Sequence, residues 1–255
     1  MIELNYKLYG QGPPLLILHG LFGSLDNWVS HARKLSENYT VYLIDQRNHG
    51  KSPHVAPWDY PTMAEDLYDF MNKEGIYKSH LLGHSMGGKA VLQFATQYPE
   101  MIDKLLVADM TPKAYEPHHT HILESLINID LESLESRKEA KITLEEKITD
   151  PSVVQFLLKS LGRDEGKNFR WKFNLKLIYD NYARVLDIIV IDDEIDTDTL
   201  FIYGGKSDYL QEEDKEPIKA LFPQASFIKI EDAGHWLHAE KPIEFLTEIQ
   251  KYLET

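Results

Sequence analysis

The sequence predicts an α/β fold, in which a helical cap is inserted into a doubly wound, mostly parallel sheet. Three observations lead to this prediction. Short apolar runs alternate with amphipathic helical stretches from residue 15 to residue 108, and the alternation resumes at residue 199. In between, the chain shows only charged helical stretches without this alternation. We therefore assign residues 1–110 and 199–255 to a core domain and residues 111–198 to the cap.

The core elements follow from hydrophobic periodicity. Residues 2–9 alternate like an edge strand, whereas the other strands are short continuous apolar runs, typical of strands buried on both faces. We predict strands over residues 2–9, 15–18, 40–44, 79–83, 102–108, 199–203 and 226–230. Apolar residues at helical spacing predict helices over residues 28–35, 62–74, 213–221 and 242–253. One more helix follows residue 85 and is stopped by Pro99.

The cap contains two recognisable stretches. Pro151 begins a helix whose apolar residues share one face, and we expect Gly162 to end it. Further on, large side chains alternate from Phe169 as in an extended segment. Aromatic rings in a cap are expected to face a cleft when the domain below already has its own core. Trp171 and Phe173 are therefore candidates for substrate binding.

Composition and charge exclude several classes of protein. The 255 residues include no cysteine, so neither a disulfide framework nor a thiolate metal site is possible. The 27 basic and 41 acidic residues give a net charge of −14, which disfavours nucleic acid and anionic membranes as partners. The sequence shows no leader-like segment and no apolar run of membrane-spanning length. We therefore expect a cytoplasmic protein that acts on a small molecule.

One motif joins the strand predicted over residues 79–83 to the helix behind it. The stretch Gly83-His84-Ser85-Met86-Gly87 places a serine between two glycines at a strand-to-helix turn. In such a nucleophile elbow the serine backbone is strained, and the close-packed turn leaves no room for side chains at the glycine positions. The hydroxyl then projects into the cleft at the strand ends. We predict that Ser85 is a catalytic nucleophile.

Two further groups follow strand ends and complete a triad with Ser85. His235 is predicted to be the general base, because a serine hydroxyl is a poor nucleophile until a histidine accepts its proton. A carboxylate must then orient the histidine. The candidates are Asp109, directly after the strand over residues 102–108, and Asp208, in the loop after the next core strand. The pattern of residues leaves both open.

The loop after the strand over residues 15–18 is predicted to stabilise the transition state. It begins His19-Gly20-Leu21-Phe22, and glycine there lets the backbone approach a substrate closely. We expect the N–H groups of Leu21 and Met86 to form an oxyanion hole. Three residues of the loops at the strand ends are candidates for substrate binding: Phe22, Ser207 and Trp236.

Two other polar groups are predicted to have no catalytic role. Asp45 and Arg47 lie in a turn-rich loop and are expected to form an internal ion pair that shapes it.

His118, His119 and His121 lie in a polar loop, without a nearby carboxylate pair or a fixed helical spacing. We therefore predict that these histidines are solvated, and that the protein has no metal site and no cofactor.

These motifs resemble those of the α/β-hydrolase superfamily, whose oxyanion loop, nucleophile elbow and catalytic histidine they match in order. The similarity is closer to the YbfF-type esterases and covers essentially the whole chain. It is carried by His19-Gly20-Leu21-Phe22-Gly23-Ser24, Asp45-Gln46-Arg47-Asn48-His49-Gly50, the elbow extended through Gly88 to Lys89, and Gly234-His235-Trp236-Leu237-His238-Ala239-Glu240-Lys241-Pro242. The resemblance implies short acyl esters and acyl thioesters as substrates, and it favours Asp109 as the acid.

The predicted function is therefore that of a serine hydrolase that cleaves short acyl esters or thioesters through an acyl-enzyme intermediate. Two alternatives stay open. A cofactor-free haloperoxidase or C–C bond hydrolase on the same scaffold would keep Ser85 and His235 and differ in the cap lining. The other is a non-catalytic ligand-binding protein of this fold, against which the intact triad argues.

Overall fold

The computed structural model describes residues 2–117 and 119–255, so His118 lies outside the described residues. The strands in the described part are Tyr6–Tyr9 (β1), Pro14–Leu18 (β2), Thr40–Ile44 (β3), Ser79–His84 (β4), Ile102–Ala108 (β5), Leu161–Arg163 (β6), Phe169–Trp171 (β7), Thr199–Gly204 (β8) and Ala225–Ile230 (β9). Seven of them form one sheet in the order β1-β3-β2-β4-β5-β8-β9. Only β1 is antiparallel to its neighbour within that sheet. The predicted mostly parallel, doubly wound sheet is confirmed.

The core helices begin and end within two residues of their predicted bounds. The α-helices in the described part are Val29–Leu35 (α1), Tyr60–Lys73 (α2), Met86–Gln97 (α3), Thr120–Ile127 (α4), Arg137–Glu145 (α5), Pro151–Lys159 (α6), Leu175–Asp180 (α7), Tyr182–Leu186 (α8), Lys215–Leu221 (α9), Leu237–Glu240 (α10) and Pro242–Leu253 (α11). Local signals explain the ends. Asp59 caps α2 by accepting a hydrogen bond from the N–H of Thr62 at 3.0 Å, and Pro242 occupies the first position of α11.

Helices cover both faces of the sheet. On one face, α2 and α3 bury Phe70 and Phe94 in a cluster that includes Leu81 of β4. On the other face, Phe245 of α11 packs in a second cluster with Leu82. Neighbouring residues of β4 thus point into opposite halves of the core. Because the parallel strands share one direction, the loops after β2, β4, β5, β8 and β9 meet at one edge of the sheet.

The chain between β5 and β8 forms the cap. In its described part it contains α4 to α8 and the antiparallel hairpin of β6 and β7. Hydrogen bonds tie it to the core: Ser160 Oγ donates to the carbonyl oxygen of Phe22 at 2.6 Å, and Tyr60 of α2 donates to that of Val185 at 2.8 Å. The cap therefore lies over the loop that follows β2. Its treatment as a separate domain over residues 111–198 stays a prediction.

Two details of the cap differ from the sequence prediction. Gly162 does not end α6, which stops at Lys159, but lies inside β6. The alternating stretch forms the strand β7 only from Phe169 to Trp171, and Phe173, just beyond that strand, packs against Phe22 and His49 of the core loops. Trp171 is 6% exposed and Phe173 is 2% exposed, and their rings stack with centroids 5.5 Å apart. The alternation thus reflects side chains buried in a short cap strand and in the turn that follows it.

The expected ion pair between Asp45 and Arg47 does not form. Arg47 instead pairs with Asp66 of α2, to which its Nε and Nη2 donate at 2.5 and 2.7 Å. Asp45 accepts hydrogen bonds from Asn5 Nδ2 and from the N–H of Leu25, at 2.7 and 2.8 Å. The bidentate partner lies on a helix that packs beside the loop, so a pairing by nearness in sequence was wrong.

Two searches of the described residues bear on partners. None of their helices combines the length and the apolar character that crossing a membrane requires. None of their His, Asp and Glu side chains gather in groups of three or more that could hold a metal ion. His119 is half-buried, and its ring nitrogen Nδ1 lies 3.1 Å from the hydroxyl of Tyr182, so the prediction that this histidine is merely solvated was wrong.

Candidate active site

Ser85 lies in the strained turn that the elbow motif predicts. Its φ of 55° and ψ of −119° fall in a region that residues with a side chain rarely adopt. The glycines on either side allow this turn. A Cβ atom at Gly83 would lie 2.1 Å from the carbonyl oxygen of Gly87, and one at Gly87 would lie 2.4 Å from that of Leu18. Either substitution would therefore push the turn away from β2 and α3.

A chain of hydrogen bonds connects the serine to a carboxylate. Ser85 Oγ lies 2.9 Å from Nε2 of His235, and Nδ1 of the same ring lies 2.7 Å from Oδ2 of Asp109. A carboxylate only accepts hydrogen bonds, so Nδ1 carries the proton and Nε2 accepts from the serine hydroxyl. In this tautomer the histidine can take the proton of Ser85.

Asp109 is fixed more firmly than a single contact to the histidine would achieve. The side chain is fully buried. Its Oδ1 accepts the N–H of Gly204 at 3.0 Å, and its Oδ2 also accepts the hydroxyl of Ser207. The structure thus brings Asp109 to His235 and gives Ser207 a hydrogen bond to that acid. Asp208, the other acid considered, is exposed.

His235 is held by its own backbone as well as by its ring. Nε2 of His84 donates to the carbonyl oxygen of His235 at 2.8 Å, and the ring of Tyr209 stacks on the imidazole with centroids 4.0 Å apart. Burial lowers the pKa of His84 to about 3, so this donor stays neutral near neutral pH. Sequence reasoning missed both contacts, since spacing does not reveal a side chain that bonds across 151 residues.

The loop after β2 approaches Ser85 closely. A Cβ atom at Gly20 would lie 2.9 Å from Nδ1 of His84 and 3.1 Å from Cβ of Ser85, so a side chain there would crowd both residues. His19 shapes this loop: its Nε2 accepts the N–H of Gln46 at 3.1 Å, and its Nδ1 donates to the carbonyl oxygen of Gly20 at 2.8 Å. Burial lowers the pKa of His19 to about 4. The loop is therefore held by a neutral imidazole, with Leu21 directly after the close approach.

Comparison with known proteins identifies the family. Residues 13–135 match the family model of the alpha/beta hydrolase fold. The esterase YbfF of Escherichia coli is 38% identical, over 94% of this chain and 92% of that protein. A Haemophilus influenzae protein provisionally named an esterase/lipase is 40% identical, over 98% of this chain and 88% of that protein. The chain belongs to the α/β-hydrolase superfamily, in the branch of the YbfF-type esterases.

A solved structure shows that this α/β-hydrolase shares its whole fold with a relative. A marine microorganism esterase superposes with a TM-score of 0.96 at 39% identity, covering 99% of this chain and 100% of that chain. The inserted cap is thus part of the shared architecture.

Two small cavities flank Ser85 in this α/β-hydrolase, each with a volume of about 30 Å³. The first, which we call the cap-helix cavity, is lined by Phe22, Val153, Phe156, Leu157, His235 and Trp236. The second, the tyrosine cavity, is lined by Tyr60, Tyr115, Tyr182, Tyr209, Leu21 and Met86 among others. Both cavities reach Ser85, so each can receive one part of a substrate.

The candidate substrate-binding residues are divided by these cavities. Phe22 and Trp236 line the cap-helix cavity. Ser207 bonds to Asp109 and lines a neighbouring opening beside His235. Trp171 and Phe173 line neither cavity at Ser85 and border a separate groove on the cap. The expectation that they face the cleft at Ser85 is corrected, because Trp171 stacks on Phe173 and Phe173 packs against Phe22 and His49 where the cap meets the core.

Proposed function

We propose that this protein hydrolyses carboxylic esters with short acyl groups, and acyl thioesters, through an acyl-enzyme intermediate on Ser85. The observation that carries the proposal is the unbroken chain of hydrogen bonds from Ser85 through His235 to Asp109, with lengths of 2.9 and 2.7 Å. The relatives named as esterases support the ester as the bond that is broken.

The first half of the reaction forms the acyl-enzyme. Ser85 Oγ attacks the carbonyl carbon while Nε2 of His235 takes its proton, and Asp109 stabilises the resulting imidazolium. The carbonyl oxygen becomes an oxyanion, for which the N–H groups of Leu21 and Met86 are the proposed donors. Met86 is the first residue of α3, where an N–H has no acceptor within the helix.

The second half releases the acid. The tetrahedral intermediate collapses, and His235 gives its proton to the departing alcohol or thiol. A water molecule then attacks the acyl carbon while the same histidine accepts its proton. As this second tetrahedral intermediate collapses, the bond between the acyl carbon and Ser85 Oγ breaks and His235 gives the proton to Oγ, which releases the carboxylic acid and restores Ser85.

Substrate size follows from the space beside the serine. The two cavities are small and their walls are mostly aromatic and aliphatic, so they favour short, uncharged groups. The predictions that nucleic acid and membranes are not partners, that no cofactor is needed and that the protein is cytoplasmic remain predictions.

The decisive experiment combines labelling with a substrate panel. A fluorophosphonate probe should modify the wild-type protein and fail to modify Ser85→Ala, and p-nitrophenyl esters from acetate to octanoate should be cleaved, the shorter ones faster. The Ser85→Ala protein should lose turnover by about 10³-fold or more. Labelling without cleavage of any ester or thioester would favour C–C bond hydrolysis or haloperoxidase chemistry, and absence of both would indicate a ligand-binding protein.

A further inference from the structure

The tyrosine cavity reaches Ser85 and is separated from the ring of His235 by Tyr209, which lines the cavity and stacks on that ring. It touches Ser85 and both proposed oxyanion donors, Leu21 and Met86, but His235 is not part of its lining. His235 instead borders the cap-helix cavity and a wider opening beside it. The two cavities are therefore not equivalent in the reaction.

The geometry of acyl transfer assigns a role to each side. The leaving group must lie next to His235 Nε2, because that atom returns the proton to it. The carbonyl oxygen must face Leu21 and Met86. The remaining substituent of the carbonyl carbon, the acyl chain, then points to the cavity that His235 does not line.

The walls of the tyrosine cavity present ring surfaces. The hydroxyl of Tyr60 donates to the carbonyl oxygen of Val185, and that of Tyr115 donates to the carbonyl oxygen of Tyr209, each at 2.8 Å. The hydroxyl of Tyr182 accepts the N–H of His119. Burial raises the pKa of Tyr60 and of Tyr115, so both phenols are neutral. Such walls suit an uncharged alkyl group.

A buried lysine connects these walls to the elbow helix. Lys89 of α3 is fully buried, and its Nζ donates to the carbonyl oxygens of Lys113 at 2.8 Å, of Leu186 at 3.3 Å and of Asp187. The same nitrogen lies 5.0 Å from the ring centroid of Tyr115. The amine of Lys89 thus bonds to two segments: the one that enters the cap, at Lys113, and the one at the end of α8, at Leu186 and Asp187.

This arrangement is costly, which points to a purpose beyond packing. Among the described residues no carboxylate oxygen lies within 4.0 Å of Lys89 Nζ, and burial lowers the pKa of this amine to about 7. Buried lysines without a paired charge are rare. An apolar side chain of similar length would fill the space without that cost, but it would take a donor away from three carbonyl groups, of which that of Leu186 keeps the N–H of Tyr115 at 2.9 Å.

We propose that the tyrosine cavity receives the acyl group and that Lys89 determines the accepted acyl length by holding the cap walls of this cavity in place. The inference rests on the proposed ester hydrolysis. Lys89 is a positioning residue, since its amine acts on the substrate only through the segments around Tyr115 and Leu186.

The test compares acyl-chain preference in matched variants. In Lys89→Met the walls lose their common donor, so the ratio of kcat/KM for p-nitrophenyl hexanoate to that for the acetate should rise by about tenfold or more. Leu186→Ala widens the same wall directly and should shift the ratio in the same direction. Lys104→Met is the control, because Lys104 Nζ also donates to a backbone carbonyl, that of Tyr252 at 2.8 Å, far from Ser85. Its ratio should equal that of the wild type.

The outcomes separate the inference from the proposed function. If the wild type cleaves no ester, ester hydrolysis itself fails. If the wild type is active and Lys89→Met folds with an unchanged ratio, the role of Lys89 is refuted, and an unchanged ratio in Leu186→Ala refutes the acyl assignment. Should Lys89→Met not fold, Lys89→Gln takes its place: its amide restores part of the bonding, and the ratio must still rise for the inference to stand.

Discussion

His84 donates a hydrogen bond from Nε2 to the backbone carbonyl oxygen of His235 at 2.8 Å, so the residue before the proposed nucleophile holds the proposed general base. The two rings also pack against each other, with centroids 4.9 Å apart. Ser85 and His235 are thus positioned from the same point at the end of β4. This contact should matter for turnover more than for substrate binding.

Substitution of His84 tests this directly. His84→Phe keeps a ring but removes the donor, so kcat should fall by about 10- to 100-fold with little change in KM, because a small misplacement of a catalytic group is enough for such a loss. His84→Gln keeps an N–H donor and should recover most of the activity. Steady-state kinetics on p-nitrophenyl acetate give both values. Equal activity of the two variants would mean that His84 only fills space.

The two acids should differ sharply in their effect on turnover. Asp109→Asn should reduce kcat by up to about 10⁴-fold, because an amide in place of the carboxylate favours the wrong tautomer of the histidine. Asp208→Asn changes an exposed side chain and should leave kcat near the wild-type value. A circular dichroism spectrum controls for folding. A larger loss in Asp208→Asn would reassign the acid to the loop after β8.

Trp171 is expected to support stability and not specificity. The ring is 6% exposed and stacks on Phe173, so Trp171→Ala should reduce the free energy of unfolding by about 3–5 kcal/mol. Its ester preference should match that of the wild type. Phe156→Ala, in the wall of the cap-helix cavity, is the contrasting variant and should change the preferred alcohol. Urea denaturation measures stability, and the ester panel measures substrate preference. A changed ester preference in Trp171→Ala would show that this ring contacts the substrate.

Buried histidines should make the fold sensitive to acid. Burial lowers the pKa of His19 to about 4 and those of His49 and His84 to about 3. Each of these groups contributes stability that is present above the unfolded-state pKa of about 6.5 and is lost as the pH falls toward the folded-state value. Between pH 6 and 4 the free energy of unfolding should therefore drop by up to about 1.4 kcal/mol per pH unit for each histidine.

His238 offers a matched variant for this acid sensitivity. Burial lowers the pKa of His238 well below its ordinary value, and its ring stacks on Trp28 with centroids 4.5 Å apart. His238→Phe keeps an aromatic ring in the stack and removes one titrating group. Urea denaturation at pH 7, 6 and 5 should give a shallower fall in stability for the variant, by about one proton. If the free energy of unfolding falls with pH equally steeply in the wild type and in His238→Phe, His238 does not contribute to the acid sensitivity.

The sequence predicts the fold well where periodicity is produced by burial. Strands β3 and β5 and helix α11 occur at the predicted bounds, because continuous apolar runs and one-sided apolar stripes are direct consequences of facing a core. Ser85 was recognisable for a related reason. The elbow needs glycine at two fixed positions, and that requirement is written in consecutive residues.

Contacts between distant residues could not be obtained in this way. The partner of Arg47 is Asp66 on α2, not the acid two positions away, since a bidentate pair depends on how the helix lies beside the loop. The aromatic residues around Trp171 would alternate along the sequence both in the wall of a cleft and in a packed interior. Only the packing shows which of the two applies. Lys89 likewise reads as one more polar residue on a helix, although its three carbonyl partners lie in the cap.

The order in which the three reacting groups follow one another along the chain has a consequence for biosynthesis. Ser85 and Asp109 follow the adjacent strands β4 and β5, while His235 comes 150 residues after the serine. A chain emerging from the ribosome therefore carries the proposed nucleophile and acid long before the proposed base. The proposed triad is assembled only when the segment that follows β9 docks on the sheet, so a nascent chain without that segment has Ser85 and Asp109 but no histidine between them.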